Sequence, residues 1–320
     1  MRIRRARRAD ADDVAEFTAD VWSDRGGDYV DRAFSKWVDE DGERARTFVA
    51  AVEADDGGPE PEGTVVGLTR GVLLSEWEAW AEGMRVAAAY RGQGVARALT
   101  EAVFAWAVER GAAVVRNMVF SWNGPGLGTS RGVGFEPGIE CRWARPDPNP
   151  EADVGSDYRV TADPEAAWAF WTRSDARRAL DGLALDFAES WALAALTRER
   201  LRGAADGGDL LVLQDGDGTH AFAAVMHEYE RDGDDGPTRW AEYGVSGWRD
   251  RRAGRALFSA VARDAADRGR DRTRVLIPET ARHVSDVAAL GVELRDDPVF
   301  VMEADVSGRA PEAGTDGHQS

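Results

Sequence analysis

The stretch that decides the fold is Arg91-Gly92-Gln93-Gly94-Val95-Ala96-Arg97. It follows an apolar run, Gly83-Met84-Arg85-Val86, that predicts a strand, and it leads into an Ala-rich segment that predicts a helix ending at Gly111. A glycine turn that feeds a helix directs several free backbone N–H groups to one point, where the helix dipole adds positive charge. This arrangement suits a phosphate, although a glycine turn before a helix is more often only a turn.

A second pattern follows this helix. The β-branched run from Ala113 to Phe120 predicts a strand, and after it come Asn123-Gly124-Pro125 and then Gly134-Phe135. The order of strand, R-x-x-G-x-A turn, helix, strand, N-x-P and Gly-Phe resembles the GCN5-related N-acetyltransferase (GNAT) superfamily. The resemblance covers residues 1–145.

The resemblance implies a fold and a cofactor. The fold is the acyl-CoA N-acyltransferase fold, an α/β (α+β) fold with a mixed, largely antiparallel central sheet flanked by helices. The cofactor is acetyl-CoA, whose pyrophosphate the turn holds in the family. A backbone N–H of the preceding strand polarises the thioester carbonyl there. The cofactor-binding residues that carry over are Met84, Arg85, Val86, Arg91, Gly92, Gln93, Gly94, Val95, Ala96, Arg97 and Asn123.

Acetyl transfer to an amine also requires proton transfer. An ammonium group cannot attack, so a base must remove its proton. Glu82, two residues before Met84, is the candidate; Glu78 shares its strand parity, and a solvated carboxylate is an equally open interpretation. Many family members carry a Tyr acid seven residues after the Asn, where this chain has Ser130. A Ser hydroxyl is a poor acid but can donate a hydrogen bond, and a thiol of pKa about 8.5 leaves without full protonation.

Several residues are candidates for the acceptor site. Tyr29, Phe34 and Trp37 lie where the family builds a wall of that site, and a plain core role is equally open for them. The run from Trp80 to Val86 resembles a branch that includes histidine N-acetyltransferases, which suggests an amino acid acceptor. We therefore expect direct attack by a primary amine of a small molecule or amino acid in a ternary complex. The alternative is a non-catalytic acyl-CoA-binding or regulatory module, because the Tyr is missing.

The second half of the chain repeats the first. The segment from Arg255 to Val261 parallels the one from Arg97 to Val103, and Arg252 then takes the position of Gly94. We expect its side chain to fill the pyrophosphate space; a shifted register, Arg251-x-x-Gly254-x-Ala, formally restores the motif. The predicted organisation is an N-acetyltransferase domain at 1–145, a Pro-rich linker at 146–156, a degenerate acetyltransferase-like domain at 157–306 and a disordered tail at 307–320.

Composition narrows the possible partners. The 320 residues carry a formal charge of −18, which resembles proteins of extreme halophiles and disfavours nucleic acid as a partner. Cys141 is the only cysteine, which excludes an intrachain disulfide and a thiolate metal cluster; His220, His227 and His283 lack metal-ligand spacing, so we expect no metal. The sequence contains no apolar run of about 18 residues, so we expect no membrane span. We expect a cytoplasmic monomer or homodimer.

Overall fold

The computed structural model describes residues 1–22, 27–53, 61–232, 236–294 and 297–309. The tail predicted at 307–320 lies largely outside these residues. The strands are β1 Arg2–Arg5, β2 Ala45–Ala51, β3 Val65–Leu73, β4 Glu78–Val86, β5 Val114–Phe120, β6 Glu136–Arg145, β7 Arg159–Thr161, β8 Leu183–Leu185, β9 Leu193–Ala195, β10 Leu210–Asp215, β11 Gly218–Arg231, β12 Thr238–Trp248, β13 Arg272–Pro278, β14 Glu293–Leu294 and β15 Val299–Asp305. The helices are α1 Ala11–Thr18, α2 Val30–Glu40, α3 Val95–Glu109, α4 Gly124–Gly132, α5 Pro164–Trp171, α6 Asp175–Ala179, α7 Arg198–Asp206, α8 Arg251–Asp267 and α9 Ala281–Ala289.

The chain forms two compact units. Unit 1 comprises Met1–Asn117, Gly124–Glu136 and Met302–Ser320, and unit 2 comprises Met118–Asn123 and Pro137–Val301. Unit 1 therefore includes part of β15 from the end of the sequence. Unit 2 includes nearly all of β6, which the sequence analysis places in the first domain.

Unit 1 is a sheet with helices on both faces. Its strands follow the order β1-β2-β3-β4-β5 and then β15, with antiparallel pairs from β1 to β4 and a parallel β4–β5 pair. Neighbouring strand residues point to opposite faces, so Val49 and Val65 pack with α1 and α2, while Ala50 and Val66 pack with α3. Phe34 and Trp37, two candidates for the acceptor wall, belong to the first of these cores.

Unit 2 is built on a similar plan. Its strands follow the order β6-β13-β12-β11-β10-β7, in which β12 and β13 are parallel and the other pairs are antiparallel. Helix α8 packs on this sheet through residues such as Leu257 and Val261. The mostly antiparallel, helix-flanked architecture confirms the predicted fold class.

Both units contain a strand–helix–strand element. Helix α3 follows β4 and precedes β5, and helix α8 follows β12 and precedes β13. Each helix is followed by a glycine in the left-handed region, Gly111 at φ 90° and Gly269 at φ 66°, as is common at helix ends. The similarity that the sequence predicts between these segments is therefore present in the backbone. No helix in the described part of the chain is long and apolar enough to cross a membrane.

Candidate functional site

The turn before α3 has an unusual backbone. Gly92 and Gly94 have φ of +74° and +85°, a left-handed conformation that residues with a Cβ rarely adopt. A Cβ placed on either residue would meet no heavy atom within 4 Å, so the space beside both glycines is open. Buried Tyr90 and Val95 anchor the two ends of the turn in the core. The turn is therefore fixed in position while its glycines face solvent.

The N-terminus of α3 has no cap from the protein. Its N-cap residue is Gly94, no side chain caps it among the described residues, and its first turn holds no acid. The first N–H groups of a helix lack partners within the helix, and the dipole makes this end positive. The start of α3 is therefore suited to bind an anion.

The polar side chains of the turn brace the backbone. Arg91 Nε donates to the Val86 carbonyl at 3.1 Å, and Gln93 Nε2 donates to the Ala89 carbonyl at 2.8 Å. Arg97 Nη2 donates to the carbonyl of Gly132, the last residue of α4, at 3.1 Å. All three side chains belong to exposed residues. The two guanidinium groups thus add positive charge to the N-terminal end of α3.

Strands β4 and β5 separate beside this turn. Their parallel ladder runs from the Glu78–Val114 pair to the Trp80–Arg116 pair, and β4 then continues to Val86 without pairing to β5. We call the end of this ladder the fork. Ala87 N donates to β3 at 2.8 Å, so alternation along the strand directs the Val86 N–H to the fork side. An unpaired β4 amide is the kind of donor that a developing oxyanion requires.

A bulge bends β4 just past the fork. The β3–β4 register shifts between Leu68 and Arg70, and Gly83 opposite has φ +67°. A Cβ on Gly83 would lie 2.7 Å from the ring of Trp37, so only glycine fits. The bulge turns the following residues, Met84 to Val86: Met84 and Val86 pack against the α3 core. The side chain of Arg85 instead binds Asp28 through Nε at 2.6 Å.

Glu82 lies on β4 beyond the fork. Its side chain is 12% exposed, and its Oε1 accepts from Arg70 Nη1 at 3.0 Å. Arg70 is itself buried and also binds Glu40 at 3.0 Å. The carboxylate is thus held in a defined position by a cation and retains access to solvent.

Glu78 occupies a different environment on the same strand. It is 2% exposed and lies inside the β4–β5 ladder, where Arg116 Nη1 donates to it at 2.7 Å. Ser75 Oγ donates to its other oxygen at 3.1 Å. These contacts give Glu78 a structural role, so the geometry favours Glu82 over Glu78 as a base.

Tyr29 lies close to Glu82. Its ring meets Trp37 edge to face at 6.0 Å, and the residue as a whole is 42% exposed. Burial by the surrounding protein raises the pKa of the Tyr29 hydroxyl, and the nearby Glu82 carboxylate raises it further. The phenol therefore stays neutral. Because Tyr29 is exposed next to the Glu82 carboxylate, its side chain is accessible to a molecule bound there. Tyr29 therefore remains the acceptor-wall candidate, whereas Phe34 is 1% exposed and packs in the core.

Ser130 is buried on α4 and has a partner that the sequence did not reveal. Asn117 Nδ2 on β5 donates to Ser130 Oγ at 3.1 Å. Asn117 follows Arg116, the last ladder residue of β5, but only the strand pairing identifies that position. Asn123, which the sequence assigns to the cofactor site, directly precedes α4 and is grouped with unit 2; its part in the cofactor site stays a prediction.

Unit 2 lacks an equivalent turn. Only Arg249 and Asp250 separate β12 from α8, and the Asp250 carboxylate accepts from Ala253 N at 3.0 Å. The expectation that Arg252 fills a pyrophosphate space is wrong: its side chain is 69% exposed and pairs with Asp157. Gly254 is inside α8 against Trp248, so the shifted register forms no turn either. The protein's own carboxylate caps this helix.

The remaining sequence candidates have local roles. His220 pairs with Asp215, His227 contacts the Asp186 carbonyl, and burial lowers the pKa of His283 to about 4. Burial raises the pKa of Cys141 to about 12, which makes its thiol unreactive. In the described residues no group of His, Cys, Asp and Glu could hold a metal ion.

Comparisons with known proteins bear on the fold and on the family of residues 11–135. Residues 11–135 match the model of the acetyltransferase (GNAT) family. The chain is similar to the GCN5-related N-acetyltransferase from Sphaerobacter thermophilus, with a TM-score of 0.60 at 15% identity over 95% of both chains. It is also similar to a protein from Thermoplasma acidophilum that carries an acetyltransferase assignment, with a TM-score of 0.51 at 16% identity over 95% of this chain and 100% of that one. No curated protein matches the sequence. The structural similarity establishes the fold over nearly the whole chain, and the family match supports acyl transfer in general for residues 11–135.

Proposed function

We propose that unit 1 is an acetyl-CoA-dependent N-acetyltransferase for a primary amine of a small molecule or amino acid. The observation that carries this proposal is the uncapped, acid-free N-terminus of α3, with Gly92 and Gly94 in the left-handed region and the fork beside it. The contrast with α8 strengthens it. Where Asp250 caps the helix, no anion site remains, so the open site at α3 is not a general feature of this strand–helix–strand element.

The residues of the turn fit a pyrophosphate. The backbone N–H groups from Gly92 to Arg97 would hold it, and Arg91 and Arg97 would balance its charge. The open space at both glycines allows the ligand to approach the backbone. When bound, acetyl-CoA supplies an activated acetyl thioester.

The other residues of the site have distinct roles in the proposed reaction. The Val86 N–H, directed to the fork side, stabilises negative charge on the carbonyl oxygen, with Met84 and Arg85 shaping the strand around it. Glu82 takes a proton from the attacking amine, directly or through water. Ser130 donates a hydrogen bond to the leaving sulfur. Tyr29 lines the acceptor side next to Glu82.

The proposal is tested with Gly94→Arg, matched by Gly291→Arg. Both glycines are left-handed and open, at φ +85° and +73°, so both variants add the same side chain and a similar backbone strain. Only Gly94 lies at the turn. We expect calorimetry to show acetyl-CoA binding to the native protein and to Gly291→Arg, and none to a folded Gly94→Arg.

Turnover then separates the two functional classes. The native protein should release CoA with at least one acceptor in a panel of amines and amino acids. Unchanged affinity in a folded Gly94→Arg variant would overturn the cofactor site. Binding of acetyl-CoA with no CoA release for any acceptor would instead favour the non-catalytic module, to which the missing Tyr points.

A further inference from the structure

Asn117 and Ser130 form a polar pair in the interior of unit 1. Ser130 is 4% exposed, and its Oγ accepts from Asn117 Nδ2 at 3.1 Å. The distance from Oγ to the Asn117 Oδ1 is longer, 3.4 Å, near the limit of a hydrogen bond. The shorter contact uses a lone pair of the Ser130 oxygen, and the hydroxyl proton makes only the long bond to Asn117 Oδ1, which a stronger acceptor such as a thiolate can replace.

Each member of the pair is close in the chain to a residue that contacts the turn or forms the fork. Ser130 is two residues before Gly132, whose carbonyl accepts from Arg97 of the turn. Asn117 is one residue beyond Arg116, where the β4–β5 ladder ends. A ligand that binds at the turn and reaches the fork would pass this pair.

The chemistry of thioester cleavage requires a donor at this place. As the amine nitrogen bonds to the acetyl carbon, the C–S bond breaks and its electron pair goes to sulfur. The amine enters in its neutral form, having lost its first proton to water, and the proton that its nitrogen loses on forming the amide goes to Glu82. Sulfur therefore leaves as a thiolate, which takes a proton from water afterwards. A thiolate with a thiol pKa of about 8.5 needs a hydrogen bond rather than a proton transfer. When the Ser130 oxygen accepts a hydrogen bond from Asn117, the Ser130 O–H becomes more polarised and is a stronger donor.

We propose that Asn117 is a positioning residue, which holds the Ser130 hydroxyl so that its proton points to the leaving sulfur. This inference rests on the proposed function of unit 1 and adds a residue to it. The pair would replace the missing Tyr with an oriented, non-acidic donor.

The test compares single-turnover rates of acetyl transfer in Asn117→Asp and Ser130→Ala. An aspartate carboxylate only accepts, so the Ser130 proton should turn to residue 117. We expect both variants to slow transfer by about ten- to a hundred-fold, less than for an oxyanion donor because sulfur is a weaker acceptor. The KM for acetyl-CoA should change less than two-fold. The double variant should be no slower than either single variant, since both remove the same bond.

Three further variants keep the inference falsifiable. Asn149→Asp makes the same chemical change in unit 2 and should leave the rate unchanged. Ser130→Thr keeps the hydroxyl and should retain most of the rate. Asn117→Leu, which is similar in size and apolar, replaces Asn117→Asp as the test if that variant does not fold. It should lower the rate of acetyl transfer about five-fold, which corresponds to the loss of one net hydrogen bond.

The outcomes are distinct. A native protein that transfers no acetyl group to any acceptor contradicts the proposed function, and this inference with it. An active native protein with native-like rates in folded Asn117→Asp or Asn117→Leu overturns the positioning role alone. Additive losses in the double variant also overturn it, because they show two independent effects.

Discussion

Glu78 and Glu82 carry the same charge on the same strand in different surroundings. Both have the same parity on β4, and the side chains are 2% and 12% exposed. Glu78 lies within the β4–β5 ladder and forms an ion pair with Arg116. Glu82 lies beyond the fork and forms an ion pair with Arg70. The sequence could not rank them, because parity is shared and the end of the ladder depends on a strand about thirty residues away. Position relative to the fork separates a structural carboxylate from a candidate base.

The prediction at this scale is a reciprocal pair of phenotypes. Glu82→Gln should lower kcat by about 10²- to 10⁴-fold, the usual contribution of a general base. It should cost less stability than Glu78→Gln, because Glu82 has access to solvent and Arg70 keeps its second carboxylate, Glu40. Glu78→Gln should lower the free energy of unfolding by about 3 kcal/mol, since it breaks a buried ion pair, and change kcat little. Urea unfolding and steady-state kinetics on both variants check this. A Glu82→Gln variant with native kcat would leave proton removal to solvent or another group.

At the scale of elements, the start of a helix decides which unit can bind an anion. The pattern of strands and helices follows from hydrophobic periodicity, and the predicted end of α3 and the predicted β5 agree with the structure to within two residues. The failure at Arg252 has a physical cause. The sequence repeat aligned the helices correctly but could not show that β12 continues to Trp248, which leaves two residues before α8 instead of a glycine turn. Asp250 then becomes a cap, a role that it shares with many acids before helices.

The second prediction concerns this cap. Asp250→Ala should lower the free energy of unfolding by about 1 kcal/mol, the usual loss for an N-cap. It should not create a second acetyl-CoA site, because unit 2 lacks the glycine turn. Calorimetric stoichiometry should stay at one acetyl-CoA per chain in the native protein and in the variant. Two molecules per chain in either protein would show that unit 2 holds a site of its own.

At the scale of the whole molecule, the sequence could not predict which strands belong to which unit. The neighbours of a strand in a sheet depend on long-range pairing: β6 pairs with β13, about 130 residues later. A Pro-rich segment at 146–156 suggests a boundary by composition alone. The described ion pairs also show how the acidic chain uses its arginines. Arg4, Arg70, Arg85, Arg116 and Arg274, for example, are each buried or half-buried on a carboxylate.

The last prediction concerns salt. We propose that the net charge of −18 is an adaptation to high salt. At low ionic strength the acidic surface repels itself and an anionic cofactor. At molar KCl the Debye length falls to about 3 Å, so only groups in contact with the phosphates still act. The turn from Arg91 to Arg97 and its N–H groups are such contacts, and most surface carboxylates are not. Folding and acetyl-CoA affinity should therefore both improve as KCl rises from millimolar to molar, whereas a protein with a basic cleft should lose affinity. Calorimetry with circular dichroism over that range checks this, and a steady fall in affinity while the protein stays folded would contradict the adaptation.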